Sequence, residues 1–353
     1  MKPLKKLKNV GIVGYGGYVP RFRIKIDEIA RAWGKEDGEI SRSLGISQKS
    51  VPDFDEDCVT MAVEAGKIAL ERAGIEPEEI GAVFVGSESH PYAVKPSSTI
   101  VADALGIGND YFCADLEFAC KAGTAGIQII AGFLEAGLID YGLAIGTDVA
   151  QSKKGDELEY TAGAGAAAFI LGRKSREFLA QIDYFSSFSS NTPDFWRRSG
   201  VEFPSHAGRF TGEMAYFRHL EEGIKAFLEK TNQKIFDFKE IIFHMPNLKF
   251  PLKLGQRLGV KESQMRNSLI VEKIGNPYSA SSLLGLCQVL DKAGKQEKIL
   301  LAAYGSGAGS DIFSLRTKNL LLSKRKKGTK VEKFLNQGEF LDYSQYLRKI
   351  GYL

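Results

Sequence analysis

Six residues could together carry acyl-transfer chemistry: Glu88, Cys120, His244, Asn276, Gly305 and Ser306. Cys120 stands in LEFACKAGTAG, where Ala119, Ala122, Gly123, Ala125 and Gly126 leave room beside the sulfur. A cysteine opening a helix gains from the partial positive charge and free N–H groups there, which favour thiolate and make a nucleophile available at neutral pH. His244, in IIFHMPN, ends an apolar run before a proline turn. It could accept the thiol proton or donate a hydrogen bond to a carbonyl. Glu88, in VGSESHPYAVKPSS, also follows an apolar run. A carboxylate beside a cysteine disfavours thiolate by like-charge repulsion, so its presence needs a chemical reason. One is carbon-acid chemistry, because forming an enolate from an unactivated thioester requires a positioned base. Decarboxylation would generate the carbanion without one. The AAYGSGAGS run around Gly305 and Ser306 can bring backbone N–H groups close to a developing oxyanion. A plain hairpin turn explains the same glycines.

The elements that must position these groups alternate between strand-like and helix-like runs. NVGIVGYGGYVP reads as a strand, CVTMAVEAGKIALERAGI as a helix, and EPEEIGAVFVGSES as a strand. FACKAGTAGIQIIAGFLEAGLI then reads as a buried helix starting at the cysteine, and DYGLAIGTD as the next strand. Strands apolar on both faces imply helices on both sides of a sheet. The second half repeats the pattern with FKEIIFHMPN, IGNPYSASSLLGLCQVLDKAG and KILLAAYGSGAGS. Glu88 precedes Cys120 by 32 positions, and His244 precedes Asn276 by 32. We read an internal duplication, residues 1–172 and 173–353, with halves related by a pseudo-twofold axis. Ligands of α/β sheets collect beyond the C-terminal strand ends, so the four groups can converge.

Composition narrows the class. The chain has 353 residues, 44% hydrophobic and 25% charged, with net charge +4, an ordinary globular profile. A cluster of basic residues from Arg316 to Lys333 lacks interleaved aromatics, so no nucleic-acid surface is expected. It reads as a solvated extension from about residue 316, or a docking place for a phosphate-bearing ligand or an acidic partner. Cys58, Cys113, Cys120 and Cys287 show no CxxC pairing and do not cluster with the four histidines, so no metal site is expected. Cys58, Cys113 and Cys287 read as core, and His90, His206 and His219 are weaker candidates than His244. MKPLKKLKNV lacks a following signal-peptide core, and no apolar run approaches the roughly 20 residues that span a bilayer. A cytoplasmic protein without membrane contact is expected.

These motifs together resemble hydroxymethylglutaryl-CoA synthase of the archaeal type, within the thiolase superfamily. GSESHPYAVKPSS, FACKAGTAG, HAGRFTGEMAYFRH, FHMPN, GNPYSAS and YGSG carry the likeness, from about residue 9 to about 315. The resemblance implies a five-layered αβαβα fold and a homodimer. It also implies that Cys120 takes an acetyl group from acetyl-CoA while Glu88 acts as general base or acid. His244, helped by Asn276, would hold acetoacetyl-CoA, and N–H groups at Cys120 and Ser306 would stabilise the oxyanion. Hydrolysis would release hydroxymethylglutaryl-CoA for the mevalonate pathway, with no cofactor. Lys249 and Lys253 are candidates for CoA phosphates, because ammonium groups bind them as point charges. The resemblance also suggests a complex with an acetoacetyl-CoA thiolase and a small zinc-containing OB-fold protein. A β-ketoacyl-acyl-carrier-protein synthase would share Cys–His–Asn but has no use for Glu88. A biosynthetic thiolase would bring a second catalytic cysteine where this chain reads YGSGAGS. A third alternative is a non-catalytic scaffold with the same fold.

Overall fold

The computed structural model describes residues 3–149 and 152–352. Its strands, in chain order, are β1 (Gly11–Tyr18), β2 (Phe22–Lys25), β3 (Gln48–Val51), β4 (Ile80–Gly86), β5 (Phe112–Leu116), β6 (Tyr141–Val149) and β7 (Ala164–Gly172). They continue as β8 (Ala180–Ser189), β9 (Phe195–Trp196), β10 (Ser205–His206), β11 (Glu240–Phe243), β12 (Lys298–Gly305), β13 (Gly309–Thr317) and β14 (Glu339–Leu341). Nine strands form one sheet in the order β11-β12-β13-β8-β1-β7-β6-β4-β5. Read outward from the centre, β1-β7-β6-β4 mirrors β8-β13-β12-β11. Each half holds an antiparallel hairpin, β6/β7 or β12/β13, beside a parallel strand, β4 or β11. The halves join through two antiparallel residue pairs, Gly11 with Gln181 and Ile12 with Ala180. Among the described residues β5 has no counterpart in the second half, and it lies at the sheet's edge.

The helices supply the other layers. Cys58–Ala73 packs on β1, β6 and β7, and Arg218–Thr231 covers β8 and β13. Between them lie Ala122–Ala136, against β4 and β6, and Ser281–Lys292, which touches β1 and β7 of one half and β11 and β12 of the other. This gives the αβαβα order. Every residue from Ser281 to Asp291 is buried, as a helix sandwiched between two sheet surfaces must be. The small residues after Cys120 serve this crossing. A Cβ on Gly123 would lie 2.7 Å from Cα of Gly146, so the helix runs in van der Waals contact with the strand backbone.

The structure departs from three expectations. The helix after the cysteine begins at Ala122, not at Cys120. Cys120 sits in a turn that Ala119 enters at φ +45°, a left-handed conformation costly for a residue with a side chain. The basic extension is also not a solvated loop. Leu321 and Val331 are fully buried, and β14 adds in parallel to β2, completing a three-stranded sheet with β3. Lys324 and Arg325 donate to the carbonyls of Ala73 and Ala293 at 2.7 and 2.8 Å. The sequence hides this because each piece is only three to seven residues long, too short to show periodicity. Cys58 and Cys287 are buried, whereas Cys113, on edge strand β5, is only half-buried.

A buried ion pair fastens the extension. Arg72 meets Asp291 at 2.9 Å, and Asp291 also accepts from the Tyr15 hydroxyl and the Val331 N–H, each at 2.9 Å. Arg72 further donates to the Thr329 carbonyl at 3.0 Å. Breaking one side of such a pair strands the other charge in a dry interior. Asp291→Ala is therefore expected to lower unfolding free energy by about 3–5 kcal/mol, measurable by chemical denaturation.

Candidate active site

Glu88 lies two residues beyond the end of β4, and its loop is fixed by Asp148 near the end of β6. Oδ1 of Asp148 accepts from the Glu88 N–H and from the Ser87 and Ser89 hydroxyls, each at 2.8 Å. Its Oδ2 accepts from the Ser279 N–H at 2.8 Å. Ser279 belongs to the loop that carries Asn276, so a single carboxylate ties the Glu88 loop to the Asn276 loop. Ser279 also donates its hydroxyl to the Gly86 carbonyl at 2.7 Å.

The thiol of Cys120 is buried and donates to Oε1 of Glu88 at 3.2 Å. Its partner is thus Glu88 and not His244. Burial, then the adjacent Glu88 carboxylate, push the thiol well above its usual pKa. The helix starts two residues later, and burial and the carboxylate hold the thiol up, against the lowering expected from a helix terminus. A backbone hydrogen bond from Ser306 acts the other way. Burial and the neighbouring Asp148 push Glu88 up to about 8. The pair therefore rests as a neutral thiol against a carboxyl poised between its two forms.

His244 follows β11 by one residue. Its backbone N–H donates to the Ala302 carbonyl at 3.0 Å, and its carbonyl accepts from the Tyr216 hydroxyl at 2.7 Å. Tyr216 comes from a wide helical turn, Thr211–Phe217, and stacks on Phe250. Burial drives the imidazole down to about 3, so it is neutral. Its Nδ1 is buried without a hydrogen-bond partner among the described residues. A neutral imidazole carries one N–H and one lone pair, so it can donate to a carbonyl without holding charge in a dry site.

Asn276 is held by its N–H to the Thr161 carbonyl at 2.7 Å, and its Oδ1 accepts from the Tyr278 N–H at 3.0 Å. The Gly305–Gly309 hairpin turn is braced by Asp194, which accepts from the Gly307 N–H at 2.9 Å and the Tyr304 hydroxyl at 2.8 Å. Lys121 turns away from its neighbour Cys120 to pair with Asp311 of β13 at 3.0 Å, joining the cysteine turn to this same hairpin.

Cys120, His244, Asn276 and Ser306 line one cavity of about 480 Å³, walled also by Phe195 and Phe250. Glu88 lines a second, of about 230 Å³, and Tyr278 borders both. Gly305 lies behind Ser306 against the Phe118 carbonyl. Lys249 and Lys253 are exposed and border neither cavity, though their helix, Lys249–Arg257, supplies Phe250 to the wall. Lys253 pairs with Glu213 at 3.3 Å. Among the other histidines, His206 borders the larger cavity and meets Asp156 at 3.0 Å. His90 borders the smaller one, and His219 is buried on the Ala215 carbonyl. Among the described residues no group of three or more His, Cys, Asp and Glu side chains could hold a metal ion.

Sequence reasoning missed Asp148, Asp194 and Tyr278. Asp148 does stand at a strand end in GTDV, the position that singled out Glu88 and His244, but its partners lie 60 and 131 residues away.

An α/β sheet whose strand order mirrors about its centre, with a cysteine before one central helix and His and Asn on loops across from it, defines a thiolase-like condensing enzyme. The chain belongs to the hydroxymethylglutaryl-CoA synthase family. It is 54% identical over 339 residues to the hydroxymethylglutaryl-CoA synthase of Archaeoglobus fulgidus, covering 96% of this chain and 98% of the relative. It is 50% identical to that of Methanosarcina acetivorans, covering 97% and 98%. The family model for the hydroxymethylglutaryl-coenzyme A synthase N terminal matches residues 6–176. That for the 3-oxoacyl-[acyl-carrier-protein] synthase III C terminal matches residues 228–316. A solved HMG-CoA synthase complexed with CoA superposes with TM-score 0.88 at 23% identity, over 98% of this chain and 91% of that one.

Proposed function

We propose that the chain condenses acetyl-CoA with acetoacetyl-CoA and hydrolyses the resulting enzyme thioester, giving hydroxymethylglutaryl-CoA and CoA for the mevalonate pathway. The observation that carries the assignment of roles is the carboxyl of Glu88, 3.2 Å from Sγ of Cys120. Cys120 attacks the acetyl thioester, its proton leaving with the CoA thiol, while N–H groups of Cys120 and Ser306 receive the oxyanion. Glu88 then takes a methyl proton, and the enolate attacks the ketone of acetoacetyl-CoA. Neutral His244 donates to that ketone oxygen, with Asn276 beside it. The proton held by Glu88 ends on the new tertiary hydroxyl, returning Glu88 to carboxylate.

The basic side chains of Lys249 and Lys253 are assigned to CoA phosphates, which would draw Lys253 away from Glu213. Edge strand β5, with Phe112 half-exposed, supports pairing with a second copy to form a homodimer. Complexes with an acetoacetyl-CoA thiolase and a zinc-containing OB-fold protein are proposed from family membership alone. Unpaired Cys58, Cys113, Cys120 and Cys287 suit a reducing, cytoplasmic setting. The two halves are taken as 1–172 and 173–353, the boundary falling between β7 and β8.

A carrier-protein-dependent synthase shares Cys–His–Asn but leaves Glu88 without work, and a scaffold leaves all four groups without work. Acetyl-CoA alone should add one acetyl group to Cys120, seen by intact and peptide mass. No added mass would contradict the reading and favour the scaffold.

A further inference from the structure

The two cavities divide the reaction's groups between them. Cys120, His244, Asn276 and Ser306 face the larger; Glu88, Ser89, His90, Asp148, Arg197 and Glu202 face the smaller. Tyr278 borders both, and Oε1 of Glu88, from the smaller, lies 3.2 Å from the sulfur of Cys120, from the larger. The last step of the proposed reaction needs a water at the Cys120 thioester. At that moment the larger cavity holds a molecule anchored to the sulfur at one end and to CoA at the other. Its open path is filled.

We propose that the smaller cavity is the water route for thioester hydrolysis, delivering water to the face of the thioester beside Glu88. Its volume, about 230 Å³, accommodates several waters at roughly 30 Å³ each. Its lining is mainly polar and its rim residues Arg197 and Glu202 are exposed, so it opens to solvent. Arg197 also fixes the site by donating to the Glu88 carbonyl at 2.7 Å. The His90 imidazole uses one nitrogen on the Ser97 hydroxyl at 2.8 Å. Its Nε2 is buried with no partner among the described residues.

The step balances without a further reactant. The water oxygen bonds to the thioester carbonyl carbon while Glu88 carboxylate takes a water proton. The carbon–sulfur bond then breaks, and Glu88 returns that proton to Sγ. The free acid and the Cys120 thiol result.

The inference rests on the proposed function, so the test separates the two. Val149 borders the smaller cavity and is absent from the larger. Val149→Phe narrows the cavity from within, and Glu202→Trp covers its mouth from an exposed position. Each variant is mixed with acetyl-CoA and acetoacetyl-CoA, and the Cys120 adduct is weighed during steady state. Expected are wild-type rates of Cys120 acetylation, turnover reduced about tenfold or more, and accumulation of the doubly tethered condensation product. Wild-type turnover in the folded variants, or accumulation of acetyl-enzyme instead, overturns the water route. If Val149→Phe does not fold by circular dichroism, Glu202→Trp decides alone. Failure of the wild-type protein to acetylate Cys120 would overturn the underlying function instead.

Discussion

Cys120→Ser is expected to abolish acetyl transfer, lowering turnover by on the order of 10⁴-fold or more. In the proposed reaction Cys120 must become an anion while buried beside a carboxyl 3.2 Å away. A thiol in that position is already pushed above its ordinary pKa by burial and by Glu88. A hydroxyl starts far less acidic, so the same surroundings put its alkoxide out of reach. Binding should survive, because the replacement is smaller and the walls supplied by Phe195, Tyr216, Phe250 and Asn276 are untouched. Titration with acetoacetyl-CoA by calorimetry would show retained affinity alongside no acetylated protein. Normal acetylation of the variant at another residue would remove Cys120 from its role.

Glu88→Ala is expected to separate the two chemical steps. Without the carboxylate the thiol loses its second-largest source of pKa elevation, after burial. Acetylation from acetyl-CoA should therefore proceed at least as readily as in wild type. Condensation should fall by roughly 10²–10⁴-fold, the usual contribution of a positioned base. The acetyl-enzyme would accumulate and be visible as an added acetyl mass. The pH dependence follows from the same residue. With its pKa raised to about 8, the carboxyl is mostly protonated below that value and mostly a base above it. Proton abstraction needs the base form, so the wild-type condensation rate should rise as pH increases through about 8. The residual rate of the variant should lack that rise. A variant that condenses normally would show that some other group takes the methyl proton.

Much of this architecture was legible in the sequence, and the parts that were not share a physical cause. The Cys58–Ala73 helix is written locally: Asp57 accepts from the Val59 and Thr60 N–H groups, an apolar stripe follows, and Gly74 closes it at φ +63°. The strands are apolar runs of ordinary length, and the matched spacings in the halves placed Glu88 and His244 at strand ends. The turn at Cys120 is not legible because alanine gives no hint of the left-handed backbone that Ala119 adopts, φ +45°. The C-terminal pieces were misread because their partners, β2, Arg72 and Asp291, are distant in the chain. Asp148 and Asp194 were missed for a related reason. Their work is to hold loops, and a holding residue is recognised by its partners, not by its type.

The proposed reaction has one Cys120–Glu88 pair join two CoA thioesters and then release the product. It is tested most directly by mixing the purified wild-type protein with acetyl-CoA and acetoacetyl-CoA, without any carrier protein, and following free thiol and product together. The expected result is hydroxymethylglutaryl-CoA accompanied by one equivalent of free CoA for each molecule formed. Thiol release with no hydroxymethylglutaryl-CoA would contradict it.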